Sequence, residues 1–159
     1  MENRMASESD SPGVVILPPF LYGGAFLVAL LLHWLRRMPI LTPAATLWPG
    51  IVLAVLAIGI MIVARRVMEA AGTNVNPMLP TTAVVTTGPF RFSRNPLYVA
   101  LTLFFLGLTL AFDTWWGIVL LPLVLVVMHF GVVLREERYL ERKFGEPYRQ
   151  YRSRVRRYL

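Results

Sequence analysis

The stretch LYVALTLFFLGLTLAFDTWWGIVLLPLVLVVMHFGVVL, residues 97–134, decides the fold class of this chain. It is apolar almost throughout, and Asp113 and Thr114 divide it into two runs. Roughly 17 to 25 apolar residues cross a hydrocarbon core about 30 Å thick, so the stretch predicts two membrane-spanning helices, Leu97–Phe112 and Trp115–Leu134. Because the link is so short, we expect an antiparallel hairpin in which Asp113 caps the second helix.

Two further apolar runs precede the hairpin, at about Val14–Leu35 and Ala44–Ala64. Each is long enough to cross a membrane. The first exceeds the apolar part of a signal peptide and no small-residue cleavage site follows it, so we predict that it is retained as a helix. The sequence therefore predicts an all-α integral membrane protein with about four transmembrane helices and a cytoplasmic amphipathic C-terminal helix.

The composition agrees with a membrane protein. Of the 159 residues, 56% are hydrophobic and 16% are charged, whereas soluble domains carry about 25% charged residues. The chain has no cysteine and two histidines, which excludes a disulfide, a thiolate cluster and a Cys nucleophile and makes a His-based metal site unfavourable. We predict no metal site.

The positive charges fall on one side of the predicted bundle. Residues 135–159 contain eight Arg and one Lys against four acids, and Arg65, Arg66, Arg91 and Arg94 lie between the second and third helices. Positively charged loops stay cytoplasmic, so we expect both termini and the active site on that side. The net charge of +7 then reflects topology and attraction to membrane lipid, and no nucleic-acid partner is expected.

We predict a single membrane domain over residues 1–159. Its expected parts are an N-terminal tail (1–13), two transmembrane helices (14–64), a polar segment (65–96), the hairpin (97–134) and a tail helix (135–159). The polar segment is rich in Gly, Pro, Thr and Asn, which is typical of a loop or of a binding lid.

The tail has apolar side chains at helical spacing and breaks at Gly145 and Pro147. An amphipathic helix on anionic lipid explains its arginines, which keeps a non-enzymatic membrane scaffold open as an alternative. It does not explain the adjacent carboxylates Glu136 and Glu137. A carboxylate at the membrane edge is costly and is often functional, although a solvated charge cluster remains the alternative. The apolar side chains at helical spacing form one apolar stripe along the tail, which consists of Leu140, Phe144, Tyr148 and Tyr151.

The polar segment ends in GPFRFSRNPLY, residues 88–98. Pro96 predicts a helix start whose free backbone N–H groups lie beside Arg94 and Asn95 and can bind a carboxylate. Phe90 and Tyr98 can flank a flat ring. The pattern favours a pocket for a molecule with an aromatic base and an ionised amino acid, whereas anchoring at the membrane interface is the alternative.

This motif, followed after two spanning helices by REERYLERKFGEPYRQY (residues 135–151), resembles the core of the isoprenylcysteine carboxyl methyltransferase family. It is similar, more loosely, to the membrane phospholipid N-methyltransferases. The resemblance covers about Thr73 to Tyr151 and implies binding of S-adenosylmethionine at the cytoplasmic face, with the tail helix folding over it. The cofactor-binding residues that it implies are Thr82, Ala83, Val84, Val85, Phe90, Asn95, Pro96, Leu97, Tyr98 and Glu136.

Methyl transfer from a sulfonium mainly requires alignment of the nucleophile, the methyl carbon and the leaving sulfur, and exclusion of water. We expect Arg94 and Asn95 to bind the polar end of the cofactor and His129 or Tyr98 to lie near the transfer point. For His129, a packed core histidine is the more frequent situation. A carboxylate or thiol acceptor needs no base, whereas an amine must lose a proton, for example to Glu137 or water. Arg94, Glu137 and His129 are the catalytic candidates.

Two positions differ from the pattern of eukaryotic members. Asn95 stands where they usually have His, and Val132 stands where they have an arginine associated with the prenylcysteine carboxylate. The acceptor, small or lipophilic and arriving laterally from the membrane, is therefore not specified, and neither is the oligomeric state. Because membrane sterol reductases have a similar core, a nicotinamide-dependent membrane reductase is the alternative enzyme, but 159 residues offer little polar surface for its larger cofactor.

Overall fold

A computed structural model describes residues 11–159, and this part of the chain is helical without strands. The protein is thus an all-α integral membrane protein, as the sequence predicts. The predicted N-terminal tail lies outside the described residues except for its last three. The helices are α1 (Pro18–Leu35), α2 (Pro43–Ala70), α3 (Pro96–Ala111), α4 (Trp115–Met128), α5 (Leu134–Phe144) and α6 (Glu146–Arg154), with a 3₁₀ turn at Gly88–Arg91 and a π-helical segment at His129–Val133.

Within residues 11–159, three helical stretches are long and apolar enough to span a membrane: α1, α2 and the continuous helix Trp115–Phe144. Helix α3 has 16 residues and is about 24 Å long, somewhat less than the hydrocarbon thickness. Helix α2 continues past the predicted end at Ala64 to Ala70. Arg65 and Arg66 therefore lie on a helix and not in the irregular segment.

The bundle has two different ends. The hairpin end contains the α1–α2 loop and the α3–α4 turn, which are joined by a hydrogen bond of 2.9 Å from the backbone N–H of Trp115 to the carbonyl of Met38. The tail end contains loop 71–95, α5 and α6. The start of the described chain lies there as well, since the backbone N–H of Val15 donates to the carbonyl of Gly131 at 3.1 Å. The arginine-rich segments therefore share one end.

Helix α3 lies between α2 on one side and α1 and α4 on the other. Glycines let the α2 and α3 backbones touch: a Cβ at Gly107 would lie 2.7 Å from the backbone nitrogen of Ala54, and a Cβ at Gly50 would overlap the backbone of Ala111. Small residues allow such approach in membrane helices, where packing replaces the hydrophobic effect as the driving force. On the other side, Tyr22, Phe105 and other apolar side chains form the core.

Asp113 does not cap α4, contrary to the prediction. Thr114 occupies the position before that helix, and Asp113 has a positive φ of 48°. Its Oδ1 accepts hydrogen bonds from the backbone N–H groups of Ile40 at 2.9 Å and Leu41 at 3.0 Å. Asp113 thereby satisfies two backbone donors of the α1–α2 loop and ties that loop to the α3–α4 turn.

Candidate functional site

A cavity of about 100 Å³ lies at the tail end, between loop 71–95, the start of α3, α5 and α6. Apolar side chains such as Val85 and Phe90 form part of its wall, and the polar side chains of Arg94 and Glu136 form another part. Phe90 and Val85 are held in place by packing against Ala64 of α2. The cavity thus combines an apolar surface with a guanidinium group and a carboxyl group.

Most of the residues that the sequence selects as cofactor-binding meet at this cavity. Thr82 does not line it: its backbone N–H donates to Thr73 Oγ1 at 3.0 Å, and its hydroxyl donates to the carbonyl of Gly72 at 2.6 Å. Thr82 therefore folds the loop. The predicted residues that do line the cavity are Ala83, Val84, Val85, Phe90, Asn95, Pro96, Leu97, Tyr98 and Glu136.

The catalytic candidates Arg94 and Glu137 form a buried ion pair. Their side chains are each 7% exposed, and Arg94 Nη2 lies 3.0 Å from Glu137 Oε1. Arg157 completes the group, donating from Nε to Glu137 Oε1 at 2.9 Å and from Nη2 to Oε2 at 2.8 Å. Hydrogen bonding to Glu137 raises the pKa of Arg157. Because guanidinium groups occupy both oxygens of Glu137, the geometry does not favour its predicted role as a proton acceptor.

Arg94 also has nitrogens without an acceptor. Its Nε and Nη1 atoms are buried and make no hydrogen bond to any group in the described part of the chain. An unsatisfied buried donor is unfavourable, and more so on a charged group. Since Arg94 lines the cavity, these donors are suited to an anionic ligand group such as a carboxylate.

Glu136 faces a different partner from its neighbour. Its Oε1 accepts a hydrogen bond of 2.7 Å from the hydroxyl of Tyr98 on the first turn of α3. The adjacent carboxylates are therefore separated: Glu137 pairs with arginines, and Glu136 joins α5 to α3 beside the cavity. The structure brings Asn95 and Glu136, which come from distant parts of the sequence, to the same cavity.

Residues 155–159, here called the strap, contact the motif before α3. The backbone N–H of Arg94 donates to the carbonyl of Arg156 at 3.0 Å, and Asn95 Nδ2 donates to the carbonyl of Arg157 at 3.0 Å. The side-chain amide of Asn95 thus holds the strap while Asn95 also lines the cavity. Sequence reasoning missed the strap, because its partners lie more than 60 residues away and no spacing links them.

Tyrosines of the tail close the cavity, and sequence reasoning noted Tyr148 and Tyr151 only as part of an apolar stripe. The Tyr151 hydroxyl donates to the carbonyl of Phe90 at 2.8 Å, and the Tyr139 hydroxyl accepts from the backbone N–H of Thr81 at 3.2 Å. Burial raises the pKa of Tyr148 to about 12, with Glu137 adding to the effect, and burial also raises the pKa of Tyr151. Both tyrosines are therefore neutral near pH 7.

His129 is not part of this cavity. Its Nδ1 lies 2.8 Å from the hydroxyl of Tyr158 in the strap, and both residues line a separate groove. In a regular α-helix, residues 129 and 136 lie close to one face, but His129–Val133 is π-helical. The wider turn shifts the register, so His129 and Glu136 face different spaces.

Two grooves adjoin the cavity, on different sides of α3. The entrance groove, of about 760 Å³, lies between α1, α2 and loop residues 73–79, and the α3–α4 groove, of about 530 Å³, lies between α3, α4 and the strap. The entrance groove shares a run of wall residues with the cavity, including Leu97. Tyr98 lines all three spaces.

The residues at the cavity fit S-adenosylmethionine. Sites for drug-sized molecules measure about 300–1,000 Å³, so a ligand of this size needs space beyond the cavity of about 100 Å³, and the adjoining grooves offer it. The wall at Val85 and Phe90 suits an aromatic base, the free donors of Arg94 suit a carboxylate, and Glu136 suits an amine or a ribose hydroxyl pair.

Comparison with known proteins gives a family match and a similar protein. The sequence profile of the phospholipid methyltransferase family matches residues 45–147, which is more than half of the chain. An uncharacterized protein of Haemophilus influenzae is 41% identical over 66 residues, which make up 40% of this chain and the whole of that protein. The family match includes the cavity motif and the hairpin, and its family is the looser of the two resemblances seen in the sequence.

Proposed function

The chain belongs to the phospholipid methyltransferase family, and on that premise we propose that it transfers a methyl group from S-adenosylmethionine to a small or lipophilic acceptor. We propose the cytoplasmic membrane face as the place of the reaction, because arginine-rich segments tend to stay cytoplasmic and the tail end carries them. The observation that supports this most is the meeting of Arg94, Glu136 and the apolar Val85–Phe90 wall at one cavity.

In this proposal, the residues of the cavity bind and orient the cofactor. When bound, S-adenosylmethionine supplies a methyl group already activated by its sulfonium. Arg94 binds the carboxylate through its unpartnered Nε and Nη1 donors, and Glu136 accepts a hydrogen bond from the amine or the ribose hydroxyls. Val85 and Phe90 enclose the adenine. Glu137 acts as a positioning residue, because it holds Arg94 at 3.0 Å in a buried ion pair.

The tail excludes water from the reacting groups. Tyr148 and Tyr151 are both buried on α6, and the Tyr151 hydroxyl is bonded to the carbonyl of Phe90. Water exclusion strengthens electrostatic interactions and protects a reactive donor. Since alignment is the main requirement of methyl transfer from a sulfonium, a site with few free acid–base groups is adequate for a carboxylate or thiol acceptor. An amine acceptor transfers its proton to a group other than Glu137.

Cofactor binding can be measured by isothermal titration of detergent-purified protein with S-adenosylhomocysteine. We expect binding in the micromolar range, which corresponds to about −8 kcal/mol. Substituting Glu136→Ala should weaken it about tenfold, since a hydrogen bond to a charged group contributes about 1.5–3 kcal/mol. Arg154→Ala, at an exposed position of α6, is the control and should change the affinity less than about twofold.

Three results contradict the proposal in different ways. Equal losses in Glu136→Ala and Arg154→Ala indicate that the tail acts through bulk charge. Binding of a reduced nicotinamide cofactor in place of S-adenosylhomocysteine indicates the reductase. Binding of neither, with retained affinity for anionic lipid vesicles, indicates the scaffold.

A further inference from the structure

Consecutive residues of the strap lie beside two different spaces, the cavity and the α3–α4 groove. Arg156 and Arg157 hold the motif beside the cavity through their carbonyl oxygens, whereas Tyr158 and Leu159 line the α3–α4 groove. The Tyr158 hydroxyl is fixed by its 2.8 Å hydrogen bond with His129 Nδ1. The strap therefore forms a wall of the groove at the tail end.

The α3–α4 groove is apolar along its length and opens toward lipid. Leu103 and Val126 lie in its walls, and Phe130, also a wall residue, is 62% exposed on the membrane-spanning helix. Within the groove, the hydroxyls of Tyr22 and Thr102 satisfy each other at 2.6 Å. The remaining polar groups of the wall are at the tail end, where Tyr98, His129 and Tyr158 meet. This distribution fits a hydrocarbon chain with a polar head at the tail end.

The entrance groove is mixed in character: apolar side chains such as Phe20 and Ile62 form much of its wall, and charged and amide side chains form the rest. The Arg65–Glu69 ion pair lies in its wall with side chains 68% and 50% exposed, and Asn74 and Asn76 lie in the loop part of the wall. This exposed polar part of the wall suits a water-soluble ligand, and the α3–α4 groove offers much less of such surface. We therefore assign the entrance groove to the cofactor and the α3–α4 groove to an apolar molecule from the membrane.

We propose that the α3–α4 groove binds the hydrocarbon chain of the methyl acceptor and that the Tyr158 ring limits the size of the acceptor's polar head. The proposal rests on the proposed methyltransferase function. Tyr98, which lines the groove and the cavity, marks the place where the head and the cofactor meet. Tyr158 is then a specificity-determining residue that acts by its bulk.

The groove can be tested without methyl transfer. A fluorescent polyene fatty acid, titrated into detergent-purified protein, should bind the wild type, and Leu103→Trp should weaken that binding about tenfold by filling the groove. Leu123→Trp is the matched control, because Leu123 is 62% exposed on the same bundle and lies outside the described cavity and grooves. Val126→Trp, on the opposite wall, serves if Leu103→Trp does not fold. Equal affinity in the filled and control variants overturns the proposal.

The role of Tyr158 is tested with radiolabelled S-adenosylmethionine and acceptors that share one alkyl chain but differ in head size: an alkylamine, an alkanethiol, an alkanoic acid and a lysophospholipid with an ethanolamine head. Tyr158→Ala should raise the rate for the bulky head relative to the small heads about tenfold, without changing affinity for S-adenosylhomocysteine. Tyr158→Phe keeps the ring and should retain the wild-type ratio.

The possible results separate the two proposals. An unchanged head-size ratio in Tyr158→Ala overturns the specificity role of Tyr158. A wild type that neither binds S-adenosylhomocysteine nor methylates any acceptor refutes the proposed function, and with it the acceptor role of the groove. The fatty acid titration still shows in that case whether the groove holds a hydrocarbon chain.

Discussion

The hairpin end and the tail end of the bundle are built from different contacts. At the hairpin end, Gly107 brings two helix backbones together, and Asp113 accepts hydrogen bonds from two backbone groups of a neighbouring loop. At the tail end, the helices surround a cavity and two grooves, and long side chains such as Arg157 and Tyr151 make the connections. Close approach of two helix backbones is the main feature of the hairpin end, whereas at the tail end long side chains make many of the contacts beside a few backbone hydrogen bonds.

This difference predicts that substitutions at the two ends have different effects on the stability of the protein and on its affinity for ligands. Backbone contacts at the hairpin end have little freedom to rearrange, so they can hold the helices while the other end stays open to ligands. Changes at the hairpin end should therefore lower stability without altering affinity for S-adenosylhomocysteine. Changes at the tail end should alter both.

The largest effect is expected for Glu137→Ala at the tail end. It leaves Arg94 charged and buried without its partner, and breaking a buried ion pair in this way costs about 3–5 kcal/mol. Thermal unfolding in detergent should show a lower Tm, and isothermal titration of whatever protein remains folded should show weaker S-adenosylhomocysteine binding.

The matched control is Glu146→Ala, which removes an ion pair with Arg149 whose side chains are 61% and 54% exposed. An exposed pair contributes at most about 1 kcal/mol, so Tm and affinity should be nearly unchanged. If the two variants behave alike, the buried Arg94–Glu137 pair does not hold the site.

An intermediate effect is expected for Gly107→Ala at the hairpin end. The new Cβ would lie 2.7 Å from the Ala54 backbone nitrogen, and forcing α2 and α3 apart costs about 1–3 kcal/mol. The Tm should fall while S-adenosylhomocysteine affinity in the folded protein is retained. Gly59→Ala, where no atom lies within 4 Å of the added Cβ, should preserve or raise Tm. Loss of affinity in Gly107→Ala would show that the two ends are coupled.

The smallest effect is expected for Asp113, with a comparison of two substitutions. Asp113→Ala removes the acceptor of the Ile40 and Leu41 N–H groups and should lower stability by about 1 kcal/mol, because both hydrogen bonds are only partly buried and water can replace the lost acceptor. Asp113→Asn keeps an oxygen acceptor and tolerates the positive φ, so most of the wild-type Tm should return. Denaturation in detergent measures both, and equal losses would indicate that the charge matters more than the hydrogen bonds.

Much of the helical framework was predictable because its signal is local. An apolar run long enough to cross a membrane indicates a helix whatever its neighbours are, and α1, α2 and the continuous helix Trp115–Phe144 follow from that rule. Helix α3 is equally apolar but shorter. Gly145, with a φ of 59°, ends α5 where the sequence indicates a break. The sequence predicted a first helix from Val14 and a second helix to Ala64, whereas α1 begins at Pro18 and α2 ends at Ala70. Hydropathy therefore locates a membrane core better than a helix boundary.

The candidate site was predictable in its residue types but not in its contacts. The motif before α3 and the tail carboxylates indicated a ligand site, and most of the selected residues do line one cavity. The sequence could not predict that Glu136 and Glu137 have different partners. Neighbouring carboxylates look equivalent in a sequence, and only the folded chain brings Tyr98 to Glu136 and the arginines to Glu137.

The sequence by itself determined the all-α membrane fold, the shared end of the arginine-rich segments and the motif from which the cavity is built. Only the tertiary structure decided that Asp113 holds the α1–α2 loop, that His129 faces the α3–α4 groove, and that the strap joins that groove to the cavity. The physical reason is the range of the interactions. Apolar length and turn chemistry act between near neighbours and leave a periodic pattern, whereas these contacts depend on residues far apart in the chain and on the register shift of one π-helical turn.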